Sequence, residues 1–401
     1  MTNVDKIFDS FTKGGMFKNK SILQSNYSPH EINHREKQID SIASILAPLL
    51  RMERVSNLFI YGKTGTGKTL TIQYLRDKLI EKSKEQGVNL TIQYINCKLK
   101  KVADTEYRIL AELTRNLGGT VPDTGLPTEA VYHKFIEILE SKKQMFIVIL
   151  DEIDQAIKKI SSDFLYNLTR LNSELENTQI SLIGISNDLT FLENIDPRVR
   201  SSLSEEEVIF PSYNAVQLQD ILSERVKEAF NEGTVQEGVI EKCAALAARE
   251  HGDARRALDL LRIAGELAER EAKKEVTLED IDKANEKIER DKVVEIVETY
   301  PKQFQLILLS IIKLLESETN PKIFTGDIYN HYQDLCKKTS SEILTQRRIG
   351  DIIAEFDMLG IINAVVISKG RYGRTREIKM AIPPALVARV KKILLDSLAL
   401  E

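Results

Sequence analysis

"GKTGTGKT", residues 62–69, is the stretch that decides the fold. It fits G-x-x-x-x-G-K-[ST], follows the short apolar run "NLFIYG" (57–62) and precedes an amphipathic helical pattern. A strand, a glycine-rich turn and a helix in that order form a phosphate-binding loop. Gly62, Gly65 and Gly67 let the backbone wrap tightly and aim its N–H groups at phosphate oxygens, with Lys63, Thr64 and Thr66 lining the same turn. The helix that starts here adds positive potential. Lys68 is placed to reach β- and γ-phosphates, and the Thr69 hydroxyl to ligate Mg²⁺.

Three further stretches complete a nucleotide chemistry. "FIVILDEID" (146–154) is an apolar strand ending in two carboxylates. Asp151 is expected in the Mg²⁺ shell, and Glu152 as the base that polarises a water in line with the γ-phosphorus. "LIGISND" (182–188) puts Asn187 at another strand end, where an amide can bond both that water and a phosphate oxygen. "HGDARRALDLL" (251–261) opens a helix with Arg255, which can reach the γ-phosphate from a second domain. The second acid favours hydrolysis over transfer to a small molecule.

Working outward, the chain has 401 residues, 42% hydrophobic and 29% charged, which fits an ordinary globular protein of two or three domains. The start has no apolar leader and no apolar run approaches a membrane span, so secretion and membrane insertion are not expected. The three cysteines (Cys97, Cys243, Cys336) are far apart, which fits a reducing cytosol and argues against zinc. After a loose tail (1–15), residues 16–205 alternate strands with helices, as in a parallel α/β sheet covered on both faces. The strands are expected at 57–62, 90–97, 145–152 and 180–187. Residues 206–295 carry helical periodicity only, including a capping box at Thr277 and Asp280. Tyr213, where that segment opens, is counted with the nucleotide contacts.

Residues 296–401 read as three helices, a β-hairpin and a closing helix, the winged-helix pattern. Within it, residues 301–401 hold 15 Lys+Arg against 11 Asp+Glu, a net of +4, on a chain whose formal charge is −4. The surplus is concentrated in the hairpin tip "SKGRYGRTRE" (368–377), with Lys369, Arg371, Tyr372, Arg374 and Arg376. In "TQRRIGDIIAEF" (345–356), Ile349, Ile352, Ile353 and Phe356 form a stripe to be buried, leaving Arg347, Gly350 and Ala354 opposite. Thr345, Gln346, Arg347 and Arg348 are therefore expected to meet a duplex groove, and the wing to grip phosphates or a narrow minor groove.

Taken together, the loop, the DE pair, the strand-end Asn and GDARRAL in an all-helical lid resemble an AAA+ ATPase. With the winged helix, and with "YSPHEINHREKQI" (27–39) matching the adenine-pocket segment, residues 16–401 resemble the archaeal origin recognition and cell-division-control initiator family. The resemblance implies Lys68, Thr69, Asp151 and Glu152 as Walker residues, Asn187 as sensor 1 and Arg255 as sensor 2. It implies ATP/ADP and Mg²⁺ as cofactors. Double-stranded origin DNA, the replicative helicase and further initiator copies are the implied partners, in a cytoplasmic, nucleoid-associated setting. It also implies a basic DNA-touching helix after the second strand, matched by "CKLKKVADTEYRIL" (97–110) with Lys98, Lys100, Lys101 and Arg108.

One departure stands out. The trans-acting arginine of related enzymes falls on Ser202 in "DPRVRSSLS" (196–204), with Arg198 and Arg200 offset. Such an arginine is worth roughly 10³–10⁵ in rate, about 4–7 kcal/mol. Slow hydrolysis that serves as a switch is therefore expected. Two other readings compete: a remodelling ATPase whose winged helix binds protein, and a signalling or transcription-regulating ATPase that binds DNA.

Overall fold

The computed structural model describes residues 15–24, 27–29, 31–98, 104–161, 163–203, 205–317, 323–368 and 374–400. The chain forms two compact units, Met1–Ile281 and Asp282–Glu401.

The first unit is built on five strands, β1 (Asn57–Tyr61), β2 (Leu90–Asn96), β3 (Gln144–Asp151), β4 (Thr178–Ser186) and β5 (Glu205–Ile209). They pair in parallel in the order β2-β3-β4-β1-β5. The helices are α1 (Glu36–Leu46), α2 (Lys68–Glu85), α3 (Glu106–Asn116), α4 (Thr128–Glu140), α5 (Ile153–Ile157), α6 (Asp163–Arg170) and α7 (Pro197–Leu203). Alternate residues of each strand face opposite sides, and both sides are covered. Phe59, Phe146, Val148 and Leu182 pack with α3, α4 and α6. Leu58, Ile60, Ile147 and Ile183 pack with α1 and α2. All eight residues of β3 are buried, as its unbroken apolar run predicts. The sequence reading missed β5: "EEEVI" offers an edge strand whose only buried residue is Val208.

Four helices follow: α8 (Ala215–Ala229), α9 (Val239–Arg249), α10 (Ala254–Arg270) and α11 (Leu278–Thr299). Asn214 and Gln217 form a capping box that starts α8. At the start of α11 the Asp280 carboxylate accepts from both the N–H (2.9 Å) and the hydroxyl (2.8 Å) of Thr277. Residues near the amino end also join this helical part. Phe17 packs on Phe230 with centroids 4.6 Å apart, and the Lys18 N–H donates to the Ala229 carbonyl.

The second unit contains α12 (Lys302–Glu316), β6 (Ile323–Phe324), α13 (Thr325–Lys338), α14 (Gln346–Met358), β7 (Ile362–Ser368), β8 (Arg374–Met380) and α15 (Pro384–Leu398), with an antiparallel sheet ordered β6-β8-β7. Residues 305–312 of α12 are buried all round, so this helix is the axis of the core. Ile349, Ile352, Ile353 and Phe356 of α14 pack against it. This is the winged-helix arrangement. Among the described residues no helix is long and apolar enough to cross a membrane.

Candidate functional site

The loop after β1 turns on glycines whose conformation or surroundings disfavour a side chain. Gly62, Gly65 and Gly67 have φ of 159°, 71° and 89°. A Cβ on Gly65 would overlap the Asp253 carboxylate, and one on Gly67 would lie 2.9 Å from the Tyr213 hydroxyl. The helical part is thus seated directly on the loop. The Ala254 N–H at the start of α10 donates to the Gly65 carbonyl (3.2 Å), and Lys63 Nζ lies 3.2 Å from His251 Nδ1. Asp253 caps the same helix by accepting from Arg255 N–H at 2.8 Å and Arg256 N–H at 3.3 Å.

Lys68 is 5% exposed. Its ammonium donates to Gly62 O (2.6 Å), Lys63 O (2.8 Å) and Asn187 Oδ1 (2.9 Å). Burial pulls its pKa down to about 8, partly opposed by Asp151. Thr69 Oγ1 donates to Asp151 Oδ2 (2.8 Å), and so does the Tyr94 hydroxyl of β2 (2.6 Å). The Glu152 N–H donates to Asp151 Oδ1 at 2.9 Å. Glu152 sits at φ +54°, in the left-handed region, which costs roughly 1–3 kcal/mol for a non-glycine residue and is found at working sites. Its carboxylate lies 4.0 Å from Lys98 Nζ.

These groups face one cavity of about 320 Å³. Thr64–Thr69 of the loop, Asp151, Glu152, Asn187, Tyr213 and Arg255 all line it, joined by Tyr27, Asn33 and Arg225. The donor set fits Mg²⁺. One hydroxyl and one buried carboxylate stand side by side next to a phosphate cradle, and Mg²⁺ takes one or two such ligands beside phosphate and water.

Several functional neighbours escaped the sequence reading. Arg35 is wholly buried beneath the loop, Tyr94 holds the Asp151 carboxylate, and Asp253 packs on Gly65. The buried Asp154 accepts from Ser186 Oγ (3.2 Å) and Asn187 N–H (3.4 Å), fixing the β4 end. Each lies inside a stretch the sequence marked, Arg35 in 27–39, Tyr94 in the expected strand 90–97, Asp154 in 146–154 and Asp253 in 251–261, but was not itself singled out there.

The basic residues are dispersed. Lys100, Lys101, Lys369, Arg371 and Tyr372 lie outside the described residues, as does the side chain of Arg374. Lys98 sits in the turn after β2 rather than on a helix, since α3 starts only at Glu106 behind its Thr105 cap. Arg108, in the first turn of α3, pairs with Asp104 at 3.1 Å. Arg376 does not project freely as expected. Its guanidinium donates to the Gly350 carbonyl, tying β8 to α14. Thr345 caps α14, its hydroxyl accepting from Arg348 N–H, and Gln346, Arg347 and Arg348 stand exposed at the helix start.

Three stretches match described families: residues 51–192 an AAA domain, 219–286 the Cdc6 AAA+ ATPase-type lid domain, and 295–390 the CDC6 C-terminal winged helix domain. The chain is 50% identical over 392 residues to the ORC1-type DNA replication protein of Thermococcus onnurineus, covering 96% of this chain and 94% of that one. It belongs to the ORC1-type DNA replication protein family. ORC1-type DNA replication protein 1 of Archaeoglobus fulgidus is 51% identical over 380 residues, 95% of this chain and 91% of the relative. Among solved structures, the Aeropyrum pernix ORC1 protein in complex with DNA matches with a TM-score of 0.81 and 42% identity, over 96% of this chain and 98% of that one. Membership of the ORC1-type family and an AAA+ core make this chain an AAA+ ATPase of DNA replication.

Proposed function

We propose that this chain is an ATP-switched initiator that binds double-stranded origin DNA, helps load the replicative helicase and hydrolyses ATP slowly. The observation that carries it is the convergence of Lys68, Thr69, Asp151, Glu152, Asn187 and Arg255 on one cavity roofed by the docked α10.

The loop N–H groups and the α2 N-terminus bind the phosphates. Lys68 exchanges two neutral carbonyls for phosphate oxygens, which restores the charge that burial disfavours. Thr69 and Asp151 would hold Mg²⁺, which would supply positive charge beside the phosphate oxygens. Glu152 accepts the proton of the attacking water, and Asn187, fixed through Asp154, orients that water. Arg255 stands exposed at the first turn of α10 and reaches the terminal phosphate from the lid side. ATP and ADP then differ in how firmly they hold the lid, which is the switch. Arg198 is engaged by Asp196 at 2.9 Å and lies offset from Ser202, so no trans arginine is assigned and turnover is slow.

DNA contact is assigned to the start of α14 (Thr345 to Arg348), the wing tip (Lys369, Arg371, Tyr372, Arg374) and the insert (Lys98, Lys100, Lys101, Arg108), while Arg376 braces α14 through the Gly350 carbonyl. Support comes from the net positive C-terminal segment and from the 42%-identical A. pernix protein, whose structure is a DNA complex. The test is duplex binding by the full chain with ATP and with ADP, as a function of salt. Arg371→Ala/Arg374→Ala should flatten the log–log salt slope by about 1.8. An unchanged slope refutes the wing assignment. Genomic footprints at promoters instead of replication start points would favour the transcription reading.

A further inference from the structure

Arg35 has no part in the chemistry just described, and it is not among the residues that line the cavity. Yet it heads the largest wholly buried side chains of the described residues, with 1% of its surface exposed. A buried guanidinium is expensive, and burial holds its pKa below the usual arginine range. Were the site merely to be filled, a methionine or leucine would fill it at less cost.

Its partners explain why a guanidinium is there. Nε donates to the Thr66 carbonyl of the loop (2.9 Å), Nη1 to the adjacent His34 carbonyl (3.0 Å) and Nη2 to the Pro211 carbonyl (2.6 Å). The guanidinium carbon lies 3.8 Å from the centroid of the Tyr213 ring and 5.6 Å from that of Phe210. Pro211 to Tyr213 is the connection from β5 into α8, so it is the hinge between sheet and lid. Three carbonyls from three segments are met by three separate nitrogens of one planar guanidinium, a geometry an ammonium at one point does not reproduce.

Two consequences follow for the loop. Lys68 draws the Gly62 and Lys63 carbonyls, and Arg35 draws the Thr66 carbonyl, which sets the turn of the peptide units between them. The hinge is bound to the same guanidinium, and the Tyr213 hydroxyl closes on Gly67. Tyr213 N–H also donates to the Gly252 carbonyl, at the turn that leads into α10. A rotation of the lid about Pro211–Tyr213 must therefore move Arg35 or break one of its bonds, and either change reaches the Thr66 peptide.

We infer that Arg35 is a positioning residue that couples the shape of the phosphate-binding loop to the angle of the lid, through Thr66 on one side and Pro211 and Tyr213 on the other. This inference rests on the nucleotide reading of the cavity.

The test uses the full-length chain. Affinity for a fluorescent ADP analogue is measured alongside the distance between labels at Lys142→Cys in the sheet part and Glu241→Cys in the lid. In Arg35→Ala the affinity should fall on the order of 10- to 100-fold, and the label distances should broaden with nucleotide bound. Millimolar guanidinium should restore both and methylammonium neither, which a general loss of packing would not produce. Arg35→Lys, which keeps the charge and loses the fork, should behave as the alanine variant. Wild-type affinity and distances in Arg35→Lys, or failure of guanidinium to restore a folded Arg35→Ala, overturn the inference. Should Arg35→Ala not fold, Tyr213→Leu removes the ring beneath the guanidinium and carries the same expectation, with the same overturning result. If the unmodified chain does not bind the analogue, the nucleotide reading falls first.

Discussion

Gly65→Ala should pry the lid from the loop, by two routes that can be separated. The first is conformational: at φ +71° an alanine costs roughly 1–2 kcal/mol. The second is steric, because the new methyl falls where the Asp253 carboxylate now lies, and forced overpacking costs about 1–3 kcal/mol. The sum of roughly 2–5 kcal/mol corresponds to a factor of about 30 to about 5,000 in an opening equilibrium. The reporter is the Ala254 amide. It is one of the orphan donors of a helix start, and in the docked lid the Gly65 carbonyl is its partner. Its hydrogen exchange should accelerate by that factor, up to the limit set by global unfolding. Asp253→Ala alone loses only the helix cap, about 1 kcal/mol. In Gly65→Ala/Asp253→Ala the methyl has room, so the double variant should be at least about 1 kcal/mol less damaged than the two single effects added. Additivity within about 0.5 kcal/mol would refute the idea that the lid is seated on this glycine.

Other outcomes follow from single groups. Lys68 has its pKa depressed to about 8, so its charge opposes folding fully below pH 8 and the penalty fades as pH rises toward the unfolded value near 10.5. Lys68→Met should therefore raise the melting temperature at pH 7, with a gain that vanishes near pH 10.5. A gain independent of pH would show that the ammonium is not strained. Gly350 lies in mid-α14 and a Cβ there meets open space, so Gly350→Ala should stabilise the second unit by roughly 0.5–1 kcal/mol. If α14 enters a groove, the same methyl should weaken duplex binding, whereas Gly326→Ala in α13 should leave it unchanged. Equal DNA affinity in both variants would remove α14 from the interface.

What the sequence made legible is what is local. The phosphate loop, the acidic strand end and the helical lid each announce themselves within a dozen residues, because period and punctuation are properties of short windows. Arg35 does not, since its partners Thr66 and Pro211 lie 31 and 176 positions away and a basic residue before a helix has many ordinary uses. The Asp253–Gly65 seat is hidden for the same reason. Strand β5 is hidden for another: with one buried residue in five it has no alternation to read, and its partner β1 defines it. Composition misled at the wing. Arg376 adds to the basic count, but its register opposite Val366 and its bond to Gly350 assign it to holding α14 in place.

The groups proposed for nucleotide chemistry sit at the carboxyl ends of β1, β3 and β4, where an open parallel sheet offers its crevice. Arg255 alone comes from the lid, and a strand end cannot supply it. The lid is held to the loop by a backbone hydrogen bond, a glycine too crowded to carry a side chain, and one buried guanidinium. None of these contacts involves the reacting groups, so lid angle and phosphate binding are linked even where hydrolysis is blocked. Linkage is reciprocal: whatever factor nucleotide contributes to lid closure, closure returns to nucleotide affinity. Any partner that draws the lid away must then release nucleotide by the same factor, and Glu152→Gln should leave that exchange intact while abolishing turnover. Loss of the exchange in Glu152→Gln would mean that hydrolysis, not occupancy, sets the lid.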